Sequence, residues 1–385
     1  MDLTYTEAEE EFRRRLARWL ADVLPGLPPK PSPDDWPARR AYDTAWQRML
    51  YDAGYAGLHW PVDAGGRGAT PTQHLIYLEE TEKAGAPYVG ANFVGLLHAG
   101  PTIAAEGTVG QRARWLPPVL RGEEVWCQGF SEPDAGSDLA ALRTRAVRDG
   151  DDYVVSGQKI WTSHAEVADW CELLVRTDPD APRHRGISWL AMPMDAPGIT
   201  VRPLRTLAGS TEFAEVFLDE VRVPVGHRVG AENDGWRVTM VTLSFERGTA
   251  FVGEVVACRR TLEALADEAR RTGRWDDAVL RRRLGRIDAE FRALWRLTQW
   301  NVAGSARTGG VPGLGGSVFK LRYSAARQEL YEAAAEVLGA PGAFDLDREW
   351  VLDRLSSLSY TIAAGTSQIQ KNIVAERVLG LPKGR

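Results

Sequence analysis

A chain of 385 residues exceeds the roughly 250–300 residues that one hydrophobic core usually organises, so the sequence predicts two or three packed regions. Hydrophobic residues at 44% and charged residues at 26% exclude an intrinsically disordered chain and predict a soluble globular protein. With 52 acidic against 47 basic residues, a net charge of −5 and no separate basic block, the composition argues against a nucleic-acid-binding protein.

The N-terminal segment is acidic and then basic, and no stretch approaches about 18 apolar residues, so we expect neither export nor membrane insertion. Three widely separated cysteines, Cys127, Cys171 and Cys258, form no disulfide or zinc pattern. The histidines lack metal-ligand spacing. A cytoplasmic protein without a metal is therefore expected.

Helical patterns dominate the first 124 residues. Thr6 and Glu9 have the spacing of a capping box, and an apolar helical face follows them. Further helices are predicted near 71–84, 91–106 and 109–121. These patterns predict an N-terminal α-helical domain over residues 1–124.

Strand-like segments replace the helical patterns between residues 125 and 233. Five of them are DYVVS, ELLVRT, GISWLAMPM, ITVRPL and AEVFLDEVRVP, which are rich in β-branched and aromatic residues. Long helical patterns return over 234–385, where the glycine-rich run 309–316 lacks the strand and helix of a Rossmann motif. The sequence thus predicts a mainly α protein with a central β domain.

Three motifs carry the chemistry. WCQGFSEPDAGSD (126–138) forms a turn whose N–H and hydroxyl groups can converge on one ligand. GQKIWTSHA (157–165) sets an indole beside hydroxyls, the apolar wall and hydrogen-bonding partner that a flavin needs. In AAGTSQIQKN, Ser367 and Gln370 have capping-box spacing at a helix start, where phosphates bind readily. Taken singly, the first motif is also compatible with a capped loop, the second with a core tryptophan and the third with an ordinary helix cap.

EPxxGSD, GQKxW and GTSQIQ, in this order and spacing, resemble the acyl-CoA dehydrogenase family, and the resemblance covers nearly the whole chain. It implies an N-terminal helical domain, a β-barrel-like middle domain and a C-terminal four-helix bundle. It also implies FAD as cofactor and α,β-dehydrogenation of an acyl thioester. The site residues that it implies are Gln128, Phe130, Ser131, Trp161 and Ser163 at the flavin ring, Ser137 toward the acyl-CoA chain, and Thr366 and Gln368 near the FAD phosphates and adenosine.

The catalytic base departs from the commonest family pattern. Many members carry a glutamate directly before the GT of the last motif, where this chain has Ala364. A branch that includes isovaleryl-CoA dehydrogenase carries the base on a C-terminal-domain helix before an arginine, and LSFERGTA here offers Glu246 followed by Arg247. Burial would raise the pKa of Glu246 toward the working pH. We expect Glu246 to be the base, Arg247 to orient it, and the N–H of Ala364 to polarise the thioester carbonyl.

Two further departures concern the FAD contacts. ARRTGRW replaces the family's arginine-threonine-phenylalanine contact to a neighbouring subunit's FAD, leaving Arg270, Arg271 and Arg274 as unranked substitutes, and Glu336 stands where a glutamine is common. A homotetramer and an electron-transfer flavoprotein partner are expected by resemblance. A heteromeric assembly, a half-site or non-catalytic FAD-binding subunit, and an acyl-CoA oxidase stay open, as does acyl-CoA against an acyl-carrier thioester.

Overall fold

The computed structural model describes residues 4–249, 251–307, 315–343 and 349–382, without the side chains of 245–249, 305–307 and 340–343. The chain forms two compact units. One contains the residues up to Leu27, Thr70–Ala86 and the chain from Arg247 onward; the other contains Pro28–Ala69 and Pro87–Glu246. The predicted boundaries after residues 124 and 233 stay predictions.

The first unit is helical. Thr6 caps its first helix and exchanges hydrogen bonds with Glu9, which confirms the predicted capping box. The helices of this unit are α1 (Glu7–Val23), α3 (Pro71–Lys83), α7 (Val252–Arg271), α8 (Ala278–Arg307), α9 (Gly315–Ala343), α10 (Glu349–Ser357) and α11 (Ser367–Ile373). A continuous apolar core joins α3, α7, α8, α9 and α10, with Tyr323 and Phe291 fully buried.

The second unit combines helices with a sheet. Its strands are β1 (Trp126–Gly129), β2 (Arg145–Asp149), β3 (Asp152–Ser163), β4 (Trp170–Arg176), β5 (Ile187–Pro193), β6 (Ile199–Leu204), β7 (Phe213–Pro224) and β8 (Arg228–Val229). They form an eight-stranded sheet in the order β6-β7-β3-β2-β4-β5-β8, with β1 added parallel to β4. Its helices are α2 (Trp36–Asp52), α4 (Gly100–Glu106), α5 (Val109–Arg121) and α6 (Gly235–Thr249).

Tryptophans fill the core of the second unit. Trp126 and Trp170 stack at 5.7 Å between ring centroids, and Trp115 of α5 meets both of them edge to face. Each indole buries on the order of 150–250 Å², which fastens α5 to the sheet. Since the described chain is helical on either side of a central sheet, the predicted fold class is confirmed.

Candidate active site

Strand β1 brings Gln128 into a buried polar cluster. Gln128 lies in register with Glu172 of β4, and its Nε2 donates to Glu172 Oε1 at 2.7 Å. The same Nε2 lies 3.3 Å from Nδ1 of His98, whose pKa falls to about 4 because burial disfavours its charged form. His98 is therefore neutral at pH 7. Gln128 is held by this cluster, and its contact with a flavin ring stays a prediction.

A buried lysine joins the first two motifs. Lys159 is fully buried on β3, and its Nζ donates to the carbonyl of Phe130 at 3.1 Å and to Glu132 Oε1 at 2.8 Å. One residue along, the N–H of Ile160 donates to the carbonyl of Ser131 at 3.0 Å. The backbone of 130–132 is thus fixed to β3 at adjacent points.

Glu132 completes this buried ion pair. It accepts hydrogen bonds from the backbone N–H groups of Arg143 at 2.6 Å and Thr144 at 2.9 Å. Burial raises the pKa of Glu132, but the charge and hydrogen bond of Lys159 together with these donors outweigh burial, so its pKa lies below the ordinary value. The sequence reasoning missed both residues; charged residues inside two otherwise apolar or turn-forming motifs were the available signal.

The end of β3 has an unusual backbone. The pairing of β3 with β7 shifts register between Lys159 and Thr162, and Trp161 and His164 have φ of 63° and 58°, in the left-handed region. Trp161 is 57% exposed and meets the ring of Phe213 at 6.0 Å. The irregular backbone therefore turns a large apolar ring outward beside Ser163, which pairs with Phe213 across the sheet.

His164 lies in an aromatic cluster in the second unit. Its ring centroid is 4.8 Å from that of Trp36 and 5.9 Å from that of Phe93. Burial, aided by the charge of Arg39, lowers its pKa to about 4. His164 is therefore neutral at pH 7.

The turn before α11 carries Ala364. Ala364 and Gly365 have φ of 51° and 84°, and a non-glycine residue in this region costs roughly 1–2 kcal/mol. Thr366 is the N-cap, its Oγ1 accepting from the N–H of Ile369 at 3.2 Å. The predicted helix start is confirmed, but the predicted capping box from Ser367 is wrong.

The predicted capping box does not form because Ser367 is already the first residue of α11, one position past the cap. Gln370 does not reach back to a cap N–H; its Nε2 donates to the carbonyl of Ala364 at 3.1 Å. Thr366 is half-buried and Gln368 is exposed at the same turn. Their predicted proximity to FAD phosphates stays a prediction.

Two sets of residues are predicted to act on the substrate: Ser137, and Glu246 with Arg247. Ser137 is exposed in the loop after β1, where the next residue, Asp138, pairs with Arg183 at 3.1 Å. Glu246 and Arg247 lie within α6, and their side chains are outside the described residues. The role of each stays a prediction.

The substituted FAD contacts are engaged within the chain. Arg270 pairs with Asp267 at 2.6 Å, and Arg271 pairs with Glu268 at 2.6 Å. Glu336 accepts from Arg283 at 2.7 Å and lies 4.0 Å from Arg274, the third substitute. Each of the three arginines lies within 4.0 Å of an acidic side chain of the same chain and stays 44–72% exposed to solvent.

The residues present fit a flavin nucleotide. In the described chain the buried Thr162 Oγ1 and His164 Nδ1 have no hydrogen-bond partner, although buried polar groups are normally paired. Both residues flank Ser163 and follow Trp161, whose indole is exposed, within the second unit. An exposed indole near polar atoms without partners is compatible with a planar, hydrogen-bonding ring.

The described residues contain no group of three or more His, Cys, Asp or Glu side chains that could hold a metal ion. Among the described helices, none is long and apolar enough to cross a membrane.

Comparisons with known proteins identify the family of the chain. The sequence profiles of the acyl-CoA dehydrogenase N-terminal, middle and C-terminal domains match residues 6–123, 127–221 and 233–379. Acyl-CoA dehydrogenase IpdE1 of Mycobacterium tuberculosis is 41% identical over 381 residues, covering 97% of this chain and 98% of the relative. Its namesake in Mycolicibacterium smegmatis is 39% identical, with 97% and 98% coverage.

Solved structures give the same answer. A Tcur3481-Tcur3483 steroid ACAD superposes with a TM-score of 0.84 at 30% identity, covering all of both chains. The ChsE4-ChsE5 complex from Mycobacterium tuberculosis gives 0.82 at 32% identity, again covering all of both chains. With the flavin-compatible site, these matches show that the chain belongs to the FAD-dependent acyl-CoA dehydrogenase family.

Proposed function

We propose that this chain dehydrogenates an acyl thioester between its α and β carbons, with Glu246 as the base that removes the α-proton. One observation supports the assignment of the base: Thr239 and Thr242 of α6 are fully buried. Position 246 follows Thr242 by about one helical turn, so helical spacing assigns it to the same side of α6 as these two threonines. When bound, FAD supplies the acceptor for the β-hydride.

The two ends of the reacting group need different partners. A carboxylate at Glu246 takes the α-proton, while Ala364 has no side chain that could do so. The backbone N–H of Ala364 is proposed to donate to the thioester oxygen and thereby stabilise the enolate character that develops as the proton leaves. Arg247 is proposed to orient Glu246 or its helix.

The test is anaerobic mixing of the FAD-loaded protein with a panel of acyl-CoAs, followed by flavin absorbance. Wild type should bleach, and Glu246→Gln should retain FAD but fail to bleach. Glu263→Gln on α7 is the matched control, since Glu263 is an exposed glutamate, and it should bleach as wild type does. Loss of bleaching in both variants, or in neither, would remove Glu246 from its role.

The electron acceptor needs a separate assay. An electron-transfer flavoprotein is proposed from the family, and an oxidase is the rival. Reoxidation of the substrate-reduced protein by dye or by that flavoprotein without peroxide supports the dehydrogenase. Stoichiometric peroxide in air would support the oxidase.

A bulky polycyclic acyl-CoA is the proposed substrate class. The support is the likeness to the structure named a steroid ACAD, at 30% identity over the whole of both chains. The panel should therefore include a steroid side-chain thioester beside straight, branched and carrier-protein thioesters. Faster bleaching by straight-chain acyl-CoA than by the steroid thioester would contradict this choice.

A homotetramer is proposed from the family, with a heteromeric assembly second. The heteromer gains support from the sequence, in which ARRTGRW and Glu336 replace the contacts to a neighbouring subunit's FAD that the family commonly makes. It gains further support from the neighbour that is named as a complex of two chains. Native mass of the purified chain and its FAD content per chain test this: a tetramer with one FAD per chain supports the homomer.

A further inference from the structure

Helix α9 carries a polar stripe along the segment that precedes α11. Lys320 Nζ donates to the carbonyl of Gly365 at 2.7 Å, and Ser324 Oγ donates to the carbonyl of Tyr360 at 2.8 Å. Gln328 Nε2 donates to the carbonyl of Ser357 at 3.2 Å. The three donors are spaced by four residues, so they lie on one face of α9 and bond successive backbone carbonyls.

The stripe ends at the strained turn. Lys320 is 4% exposed and Gln370 is 2% exposed, so both donors act away from bulk water. Gln370 Nε2 bonds the carbonyl of Ala364 at 3.1 Å, one residue before the carbonyl that Lys320 bonds. A side chain at Gly365 would come within 2.6 Å of that same Nε2. The turn is therefore built around these two donors.

Strained backbone persists only where its surroundings over-determine it. Ala364 has φ of 51°, a conformation that an alanine rarely adopts, and the carbonyls of both Ala364 and Gly365 are fixed by buried side chains from separate elements. A peptide unit is planar, so fixing these two carbonyls directly fixes the N–H groups of Gly365 and Thr366. The N–H of Ala364 belongs to the preceding peptide unit, and the narrow left-handed region that Ala364 occupies sets its direction relative to the fixed carbonyl of the same residue. A preorganised donor of this kind is what stabilisation of a developing oxyanion needs.

We propose that Lys320 and Gln370 are positioning residues that fix the N–H of Ala364 toward the thioester oxygen. The proposal rests on the proposed function, in which that N–H polarises the carbonyl. Neither side chain takes part in proton or hydride transfer; each acts through the backbone of the turn. Gln328, at the other end of the stripe, anchors the segment but does not set the turn.

The test uses 4-(dimethylamino)cinnamoyl-CoA, a conjugated thioester whose absorbance moves to longer wavelength when its carbonyl is polarised. FAD-loaded wild type, Lys320→Met, Gln370→Met and the control Gln328→Met are titrated with it. Lys320→Met and Gln370→Met should show at most about half of the wild-type red shift, and Gln328→Met should show all of it. With substrate, the first two should lose about tenfold in kcat while KM changes little.

The outcomes distinguish failure of this positioning role from failure of the proposed function, in which the N–H of Ala364 polarises the thioester carbonyl. No red shift in wild type would overturn the role of the Ala364 N–H and this proposal with it. A full red shift in Lys320→Met and Gln370→Met, with wild type shifted, would overturn the positioning role alone. If Lys320→Met fails to fold, Gln370→Met decides, since it removes the neighbouring bond and leaves the lysine in place.

Discussion

Replacing Lys159 by methionine should destabilise the second unit while leaving the shape of the side chain nearly unchanged. The substitution removes the bond to the carbonyl of Phe130 and leaves the carboxylate of Glu132 buried without its cation. Removing one partner of a buried pair costs about 3–5 kcal/mol. Glu132 keeps two backbone N–H donors, from Arg143 and Thr144, so the lower end, about 3 kcal/mol, is expected.

The assay is thermal unfolding of the FAD-free and FAD-loaded proteins. At roughly 2–4 °C per kcal/mol, the expected loss in Tm is about 6–12 °C. The double variant Lys159→Met with Glu132→Gln should recover part of it, because no buried charge remains. Arg222→Met is the matched control: Arg222 makes a 2.7 Å pair with Asp149 that is fully on the surface, and no resolvable change in Tm is expected. A loss as small for Lys159→Met as for Arg222→Met would refute the reasoning.

The other predictions concern the pH dependence of Tm, the contact of Trp161 with FAD and the catalytic base. Burial lowers the pKa of His98 from 6.5 to about 4, so on acidification the unfolded chain binds a proton at a higher pH than the folded chain does. The Tm should therefore fall as the pH is lowered from 6.5 to 4. The fall should be shallower for His98→Gln. Trp161→Ala should change the stability of the FAD-free protein by no more than about 0.5 kcal/mol, because the indole is 57% exposed, yet lower the FAD-to-protein absorbance ratio. Adding Ala364→Glu to the Glu246→Gln variant should restore slow flavin bleaching, measured by stopped-flow mixing with substrate. If bleaching does not recover, a carboxylate at position 364 cannot reach the α-proton.

Local patterns predicted the elements well where the physics is local. The Thr6 capping box depends only on residues three apart, and it forms as expected. Each of the five strand-like segments overlaps an observed strand, and ELLVRT and GISWLAMPM run one residue beyond theirs at one or both ends, because β-branched and aromatic side chains suit a sheet. At the last motif the cap moved one residue, since Thr366 and Ser367 both qualify and only the geometry of the turn selects Thr366.

The site was predictable only in part, because its partners are distant in sequence. No residue near Lys159 in the sequence indicates that its amine will donate to Glu132, 27 residues earlier. Lys320 and Gly365 are 45 residues apart and meet only after α9 and the C-terminal segment pack. The motifs predict which residues surround the cofactor, whereas the buried polar side chains that fix their backbones can be identified only from the tertiary fold.

The most direct test of the account is exchange of the substrate α-proton, measured by mass spectrometry in deuterated water with FAD-loaded protein and an acyl-CoA from the panel. We predict that wild type incorporates deuterium at the α-carbon and that Glu246→Gln, with FAD still bound, incorporates none above the protein-free rate. Undiminished exchange in Glu246→Gln would contradict the assignment of Glu246 as the base.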